Sequence, residues 1–341
     1  MAPNSQVVLR SKKNSNGDSI VVDVFNHVQP REYVDAVPNP STITFPPIVP
    51  YSVRDPAARI KSMDQHGIDM EILSLAAPHY SELLKYTPDL RRNVMRAAND
   101  GIAKIVEGNP DRFAAVGTVN LLDVGESVDE MVRCVRDLGL VGIQTFTNIA
   151  GKPLDSPDFE PFYQKLSQLD TVMFIHPTFI GKIYDYIEEY GMSNTIGYDI
   201  DNSMALYRLA RGGVFVRHPG LKILAHHMGS LIPFLVARMQ RTIMAFQSKD
   251  HITPPPPLKK MPNDYFKMFY VDTAEGAWKP SLACAQAFFG SSHVLLGSDY
   301  PIHGEQDLTD TIKAVRELDI PEREKSMILG GNAVELLGLN A

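Results

Sequence analysis

The chain has 341 residues, 44% of them hydrophobic and 21% charged, with a formal net charge of -7. That length and apolar content can bury a substantial core, and the acidic balance excludes the basic footprint of a nucleic-acid-binding protein. Its two cysteines, Cys134 and Cys284, exclude a disulfide framework and a cysteine-based metal site, so a cytoplasmic protein is expected.

The first part of the chain is polar. Residues 1–19 lack the apolar centre of a secretory signal, and we interpret them as an N-terminal tail. No apolar run approaches the roughly 20 residues of a spanning helix, so no membrane contact is expected. Residues 20–341 are predicted to form a single domain.

Short apolar runs alternate with amphipathic stretches along the rest of the chain. The runs predict strands at residues 20–26, 69–75, 112–119, 141–146, 172–176, 222–227, 268–273 and 294–299. Helices are predicted at residues 55–66, 90–109, 125–138, 160–169, 203–217, 232–246, 279–289 and 308–318. Eight such units predict an α/β fold, the (β/α)8 TIM barrel.

Three segments are additional to the strands and helices of a minimal barrel. Residues 31–54 are rich in proline and short of helical periodicity, and residues 179–202 follow the fifth strand. Both are predicted to be inserted loops that cover the C-terminal face. Residues 251–262 contain four consecutive prolines and are expected to be extended.

Ligand-type side chains fall at four strand ends. His27, His176, His227 and Asp299 each lie at or just after the end of an apolar run. A parallel barrel gathers such positions around one point at its C-terminal face. Imidazole and carboxylate groups suit Zn, Mn, Fe or Co, so the pattern predicts a divalent metal site.

Several short motifs resemble one known family. They are Asn109-Pro110-Asp111-Arg112-Phe113, Gly139-Leu140-Val141-Gly142-Ile143-Gln144, Phe174-Ile175-His176-Pro177, His227-Met228-Gly229 with Pro233-Phe234, Gly297-Ser298-Asp299-Tyr300-Pro301 and Gly330-Gly331-Asn332-Ala333. Together they resemble the amidohydrolase superfamily over residues 20–339. The similar branch contains aminocarboxymuconate-semialdehyde decarboxylase and the resorcylate-type decarboxylases.

The resemblance implies a set of metal ligands. In that branch a His-x-His pair after strand one, a His after strand five and an Asp after strand eight hold the ion, and a strand-six His serves catalysis. His27, His176, Asp299 and His227 match these positions, with His227 a further metal candidate. Phe25 occupies the first His position, and a phenyl ring cannot coordinate a metal.

A second departure lies three positions after His227, where Ser230 replaces the acidic residue of some members. Possible additional site residues are His226, His79 and Glu275. Because neighbouring side chains on a strand face opposite ways, His226 and His227 enter the barrel together only if the strand has ended or bulged. We favour His227 inward.

Two further carboxylates are interpreted as structural. Asp23 shares a strand face with Phe25. We expect it to have a structural role, as the buried partner of a neighbouring backbone group, rather than a catalytic one. Asp272 belongs to a polar turn after strand seven and is expected to cap the following helix.

The predicted activity is metal-dependent, either non-oxidative decarboxylation or hydrolysis of a small carboxylated or carbonyl substrate. His227 and Asp299 are the expected catalytic residues, and zinc is the expected ion, with Mn or Fe as alternatives. One alternative is a metal-poor supporting subunit in a hetero-oligomer with an active homologous subunit. Another is an Fe- or Mn-dependent hydroxylase. A homo-oligomer or such a hetero-oligomer is expected.

Overall fold

A computed structural model describes residues 19–39, 53–76, 80–178, 185–246, 258–275, 277–302 and 304–339. Within these residues, eight parallel strands form one sheet whose order follows the chain. The strands are β1 (Val22–Val28), β2 (Met70–Leu75), β3 (Phe113–Thr118), β4 (Gly142–Phe146), β5 (Val172–His176), β6 (Lys222–Ala225), β7 (Tyr270–Asp272) and β8 (Val294–Leu295). A two-stranded hairpin, Asn148–Ile149 with Lys152–Pro153, follows β4.

The first and last strands meet. Val24 N donates to Leu296 O at 2.8 Å and His27 N donates to Tyr300 O at 2.7 Å, and Asn26 and Tyr300 form a parallel bridge. These bonds bring the segment after β8 against β1 and close the ring of strands. The predicted (β/α)8 barrel is therefore confirmed.

Fourteen α-helices occur in the described part of the chain. They are α1 (Arg31–Ala36), α2 (Pro56–His66), α3 (Tyr80–Leu83), α4 (Pro88–Gly108), α5 (Val124–Arg136), α6 (Glu160–Leu169), α7 (Tyr198–Arg211), α8 (Val214–Arg217), α9 (Ile232–Phe246), α10 (Pro262–Phe266), α11 (Lys279–Phe289), α12 (Glu305–Arg316), α13 (Glu322–Ser326) and α14 (Asn332–Leu337). None of these helices is both long and apolar enough to cross a membrane.

Local sequence explains where the helices begin and end. The Asp55 carboxylate accepts hydrogen bonds from Ala57 N and Ala58 N, Pro56 opens α2, and Gly67 ends it with a φ of 71°. One predicted helix, residues 203–217, differs. It begins earlier, at Tyr198, and is divided by Gly213, whose φ of 76° ends the helical path before α8.

The loop predictions are met in part. Residues 31–54 contain the short helix α1, which the proline-rich composition did not indicate and which buries Tyr33. Residues 185–197 form 3-10 and π turns that lead into α7. The N-terminal tail before Ser19, residues 40–52 and 179–184, His79 and the four consecutive prolines lie outside the described residues.

Two apolar layers decide where polar chemistry is possible. One fills the space between the sheet and the helices. The other fills the barrel interior with Val22, Val24, Ile72, Val116 and Phe174, and it extends to Leu336 and Leu337 of α14. The ligand-type side chains of His27 and His176 lie beyond this apolar layer, at the carboxyl ends of the strands.

Candidate active site

Three of the predicted ligands meet at the carboxyl ends of the strands. The Nε2 atom of His27, at the end of β1, lies 3.3 Å from Nε2 of His176, at the end of β5. The same His27 atom lies 3.0 Å from Oδ1 of Asp299, in the segment after β8. His27 and Asp299 are nearly inaccessible to solvent. The site therefore joins residues 272 positions apart in the chain.

Hydrogen bonds fix which ring nitrogen of each histidine carries a proton. Ser74 Oγ donates to Asn26 O at 2.7 Å, so it accepts from His27 Nδ1 at 3.1 Å. His176 Nδ1 lies 2.7 Å from Pro177 O, a carbonyl that can only accept. Burial lowers the pKa of His176 well below its usual value, so this ring is neutral. In their neutral forms both histidines present an Nε2 lone pair to the site.

This arrangement calls for a positive charge between the three groups. Two lone pairs and a carboxylate repel one another unless a proton on His27 or a metal ion lies among them. Two imidazole nitrogens and a carboxylate oxygen form a donor set for Zn, Mn or Fe. The two short distances both involve His27 Nε2. Asp299 and His176 must therefore move closer together before they can bind the same ion. With that adjustment the residues fit a divalent metal.

A buried arginine supports the end of β1. The Arg59 guanidinium donates to His27 O and to Asn26 Oδ1, both at 2.8 Å, and forms a close ion pair with Glu71. It also lies 5.0 Å from the centre of the Tyr300 ring. Burial raises the pKa of Glu71, and the neighbouring Arg59 opposes that rise. Arg59 thus holds the backbone of a metal-ligand candidate.

Asp23 connects β1 to the segment that carries Asp299. Its Oδ1 accepts from Phe25 N and from Ser298 N, both at 3.1 Å, and its Oδ2 contacts the Ser298 hydroxyl closely. Burial, helped by the charge of Glu71, raises the pKa of Asp23 to about 8. Its contacts are structural, in line with the interpretation from the sequence.

Phe25 lies among the histidines, fully buried. Its ring stacks on His226 and meets the rings of His27 and His176 edge-on, with centroids 4.8 and 5.7 Å away. An apolar ring therefore fills the place where the resemblance implies a metal ligand. This chain therefore has donor side chains at three of the four metal-ligand positions that the resemblance implies, namely His27, His176 and Asp299.

His226 and His227 differ from the prediction, which placed only the His227 side chain inside the barrel. Strand β6 ends at Ala225, so the alternation of side chains no longer applies. His226 is fully buried against Phe25, while His227 follows with a φ of 59° and lies 5.7 Å from the Phe25 ring. Both rings therefore reach the site.

Asp272 is the residue that orients this pair. It contacts His226 Nδ1 closely through Oδ2, and its Oδ1 accepts from His227 N at 3.0 Å. Burial lowers the pKa of His226, and the Asp272 charge opposes that shift. The expectation that Asp272 caps the next helix is wrong, because it is buried within β7 and α11 begins only at Lys279.

At the barrel mouth His227 faces two carboxylates. Its Nδ1 lies 3.7 Å from Oε1 of Glu275, and Asp199 completes a group whose ligand atoms lie within 4.8 Å of one another. Sequence reasoning missed Asp199, although it lies in the segment predicted to cover the mouth. Ser230 Oγ accepts from Asn202 Nδ2 at 2.9 Å and so serves to hold α7.

Three site residues share an uncommon backbone conformation. Asp299, His227 and Glu275 have φ values of 60°, 59° and 64°. Residues other than glycine rarely adopt this region, and such conformations cluster at functional sites. Tyr198, the first residue of α7, is close enough to Asp299 for the aspartate charge to add to the effect of burial in raising the tyrosine pKa.

The chain is similar to known proteins over most of its length. The family model described as Amidohydrolase matches residues 35–339. The chain is 32% identical over 288 residues to 2-amino-3-carboxymuconate-6-semialdehyde decarboxylase of Dictyostelium discoideum, covering 84% of this chain and 77% of that protein. It is 30% identical over 295 residues to gamma-resorcylate decarboxylase of Rhizobium sp. (strain MTP-10005), covering 83% and 86%.

Solved structures are also similar. 5-Carboxyvanillate decarboxylase of Novosphingobium aromaticivorans, complexed with manganese and 4-hydroxy-3-methoxy-5-nitrobenzoic acid, superposes with a TM-score of 0.86. The two chains are 27% identical, and the match covers 98% of this chain and 99% of the other.

Proposed function

The chain belongs to the amidohydrolase family, and we propose that it is a divalent-metal-dependent, non-oxidative decarboxylase of small carboxylated aromatic compounds. The observation that carries this proposal is the meeting of His27, His176 and Asp299, two lone pairs and a carboxylate, at one point of the barrel. The decarboxylase names of the relatives support the reaction class.

His27, His176 and Asp299 would hold the ion. A divalent ion bound there supplies Lewis acidity that withdraws charge from a substrate carboxylate or an adjacent oxygen. Zinc remains the prediction from the donor types, while the manganese in the 5-carboxyvanillate decarboxylase structure favours manganese. We infer a three-residue ligand set, since Phe25 contributes no donor atom.

Decarboxylation replaces a carbon–carbon bond with a carbon–hydrogen bond. A proton is added at the ring carbon, the bond to the carboxylate breaks, its electron pair returns to the ring, and carbon dioxide leaves. We assign proton delivery to Asp299, since its Oδ1 lies 3.0 Å from His27 Nε2 and a carboxyl group has a second oxygen. His227, also predicted for this step, lies beside Glu275 and Asp199 at the mouth.

The low exposure of the site serves the same reaction. Asp299 is 7% exposed and His27 is 3% exposed, and the aromatic ring of Phe25 packs against the His27 ring. Such an environment strengthens the interaction between a substrate carboxylate and its binding groups.

Elemental analysis of the purified chain, combined with carbon dioxide release from carboxylated phenols, tests the proposal. We expect bound metal and product carrying one deuterium at the vacated carbon when the reaction runs in D2O. His176→Ala should lose both the ion at this site and the activity. His66→Ala is the matched control, because His66 lies on α2 and binds Thr309.

Two results would overturn the proposal. One is a metal-loaded protein that releases no carbon dioxide from any member of the panel. The other is metal and activity that appear only after co-expression with a homologue carrying an intact His-x-His motif, which would identify this chain as the supporting subunit.

A further inference from the structure

A second group of ligand-type side chains lies at the barrel mouth. One ring nitrogen of His227 and one carboxylate oxygen each of Asp199 and Glu275 all lie within 4.8 Å of one another. We propose that these three residues bind a second divalent cation, separate from the ion assigned to His27, His176 and Asp299. The proposal does not depend on the decarboxylase activity.

His227 is the residue that points to a bound cation. It is 5% exposed, and within the described part of the chain neither ring nitrogen has a hydrogen-bond partner. The distance of 3.7 Å from Nδ1 to Glu275 Oε1 is too long for a hydrogen bond. Burying an imidazole with both nitrogens unpaired is costly. A cation between the ring and the carboxylates would bind its lone pair and balance their charges.

The Asp272 carboxylate holds the two loops that carry His227 and Glu275. Oδ1 of Asp272 accepts from His227 N and from Ala274 N, both at 3.0 Å. His227 and the residue next to Glu275 are therefore held by the same oxygen atom. The two loops keep their relative position before any ion binds, which lowers the cost of forming the site.

The third ligand is held by α7. Asn202, on this helix, donates through Nδ2 to His226 O at 2.8 Å and to Ser230 Oγ at 2.9 Å. Ser203 Oγ donates to Asp199 O at 2.6 Å and accepts from Leu231 N. The start of α7, with Asp199, is thus tied to the loop that follows β6.

The donor set suits a transition-metal ion. One imidazole and two carboxylates favour Mn, Fe or Zn, with bonds of about 2.0–2.2 Å to each ligand atom. The atoms must therefore close from their present spacing. The Glu275 side chain, 38% exposed and longer than that of aspartate, can supply this movement. The site opens to solvent at the mouth, so a cation can enter without unfolding the barrel.

Mn binding stoichiometry tests the proposal, measured by equilibrium dialysis against manganese chloride with elemental analysis. We expect two ions per chain in the native protein and one in Glu275→Gln and in Asp199→Asn. Both substitutions keep the side-chain shape and remove one charged ligand. Glu189→Gln removes the same charge from another exposed position and should keep both ions.

Variants of the first site separate the two sites. His176→Ala should keep one ion, and the double variant His176→Ala/Glu275→Gln should keep none. If the native protein binds one ion that Glu275→Gln loses and His176→Ala keeps, the mouth site is supported and the metal assignment of the proposed function fails. The mouth site is overturned if Glu275→Gln and Asp199→Asn bind as many ions as the native protein.

Discussion

Phe25 stacks face to face on His226, with ring centroids 3.6 Å apart and planes inclined by 16°. The stack lies where the family resemblance implies a first histidine ligand, and it covers the fully buried His226 ring. The aromatic ring therefore replaces a metal donor with a packing contact. This pair distinguishes the candidate metal site of the chain from the four-ligand set that the resemblance implies.

Phe25→His should restore the missing donor. We expect its affinity for the first ion to rise at least about tenfold, which corresponds to roughly 1.4 kcal/mol of binding free energy. Competition with a chromophoric chelator measures the dissociation constant. Phe25→Leu is the control, because it removes the stack and adds no donor atom. Equal affinity in the histidine variant and the native protein would show that position 25 does not reach the ion.

Asp272→Asn should change the tautomer of His226. The native carboxylate accepts from Nδ1, which leaves the lone pair on Nε2. In the variant, the amide oxygen can still accept hydrogen bonds from His227 N and Ala274 N. The NH2 group then faces His226 Nδ1 and needs a lone pair on that atom as its acceptor. We expect the proton to move to Nε2, seen in 15N shifts of the imidazole. An unchanged tautomer would mean that another group fixes the ring.

Much of this architecture could be predicted from the sequence, because strand ends and apolar runs have local signals. Eight strands, their parallel order and the meeting of His27 with His176 and Asp299 follow from that pattern. The place of His226 could not be predicted, since it depends on where β6 ends. Asp199 carries no motif, and only the path of α7 brings it to the mouth.

Breaking the buried ion pair under β1 should destabilise the fold. Glu71→Gln leaves the Arg59 guanidinium without its carboxylate, in a position where each side chain is 1% exposed. Removing one partner of such a pair costs about 3–5 kcal/mol of unfolding free energy. Urea unfolding measures this loss. Arg59→Lys is the companion variant, which keeps the charge but cannot make all three contacts. A loss below about 1 kcal/mol in Glu71→Gln would contradict the role given to the pair.

Asp23→Asn should flatten the dependence of stability on pH. The carboxyl has a pKa of about 8 in the folded chain against an ordinary value of 3.8, because burial disfavours its charge. Below pH 3.8 both states hold the proton. As pH rises towards 8 the unfolded chain releases it first, so the native protein loses up to about 1.4 kcal/mol of unfolding free energy per pH unit from this group.

The asparagine variant can keep the contacts without that loss. Its oxygen can accept from Phe25 N and Ser298 N, and its NH2 group can donate to the Ser298 hydroxyl. Its stability relative to the native protein should therefore rise between pH 5 and pH 8, as measured by urea unfolding at both values. Asp319→Asn, at an exposed position, controls for the loss of one carboxylate. A difference from the native protein that stays constant between the two pH values would show that Asp23 does not hold a proton in the folded chain.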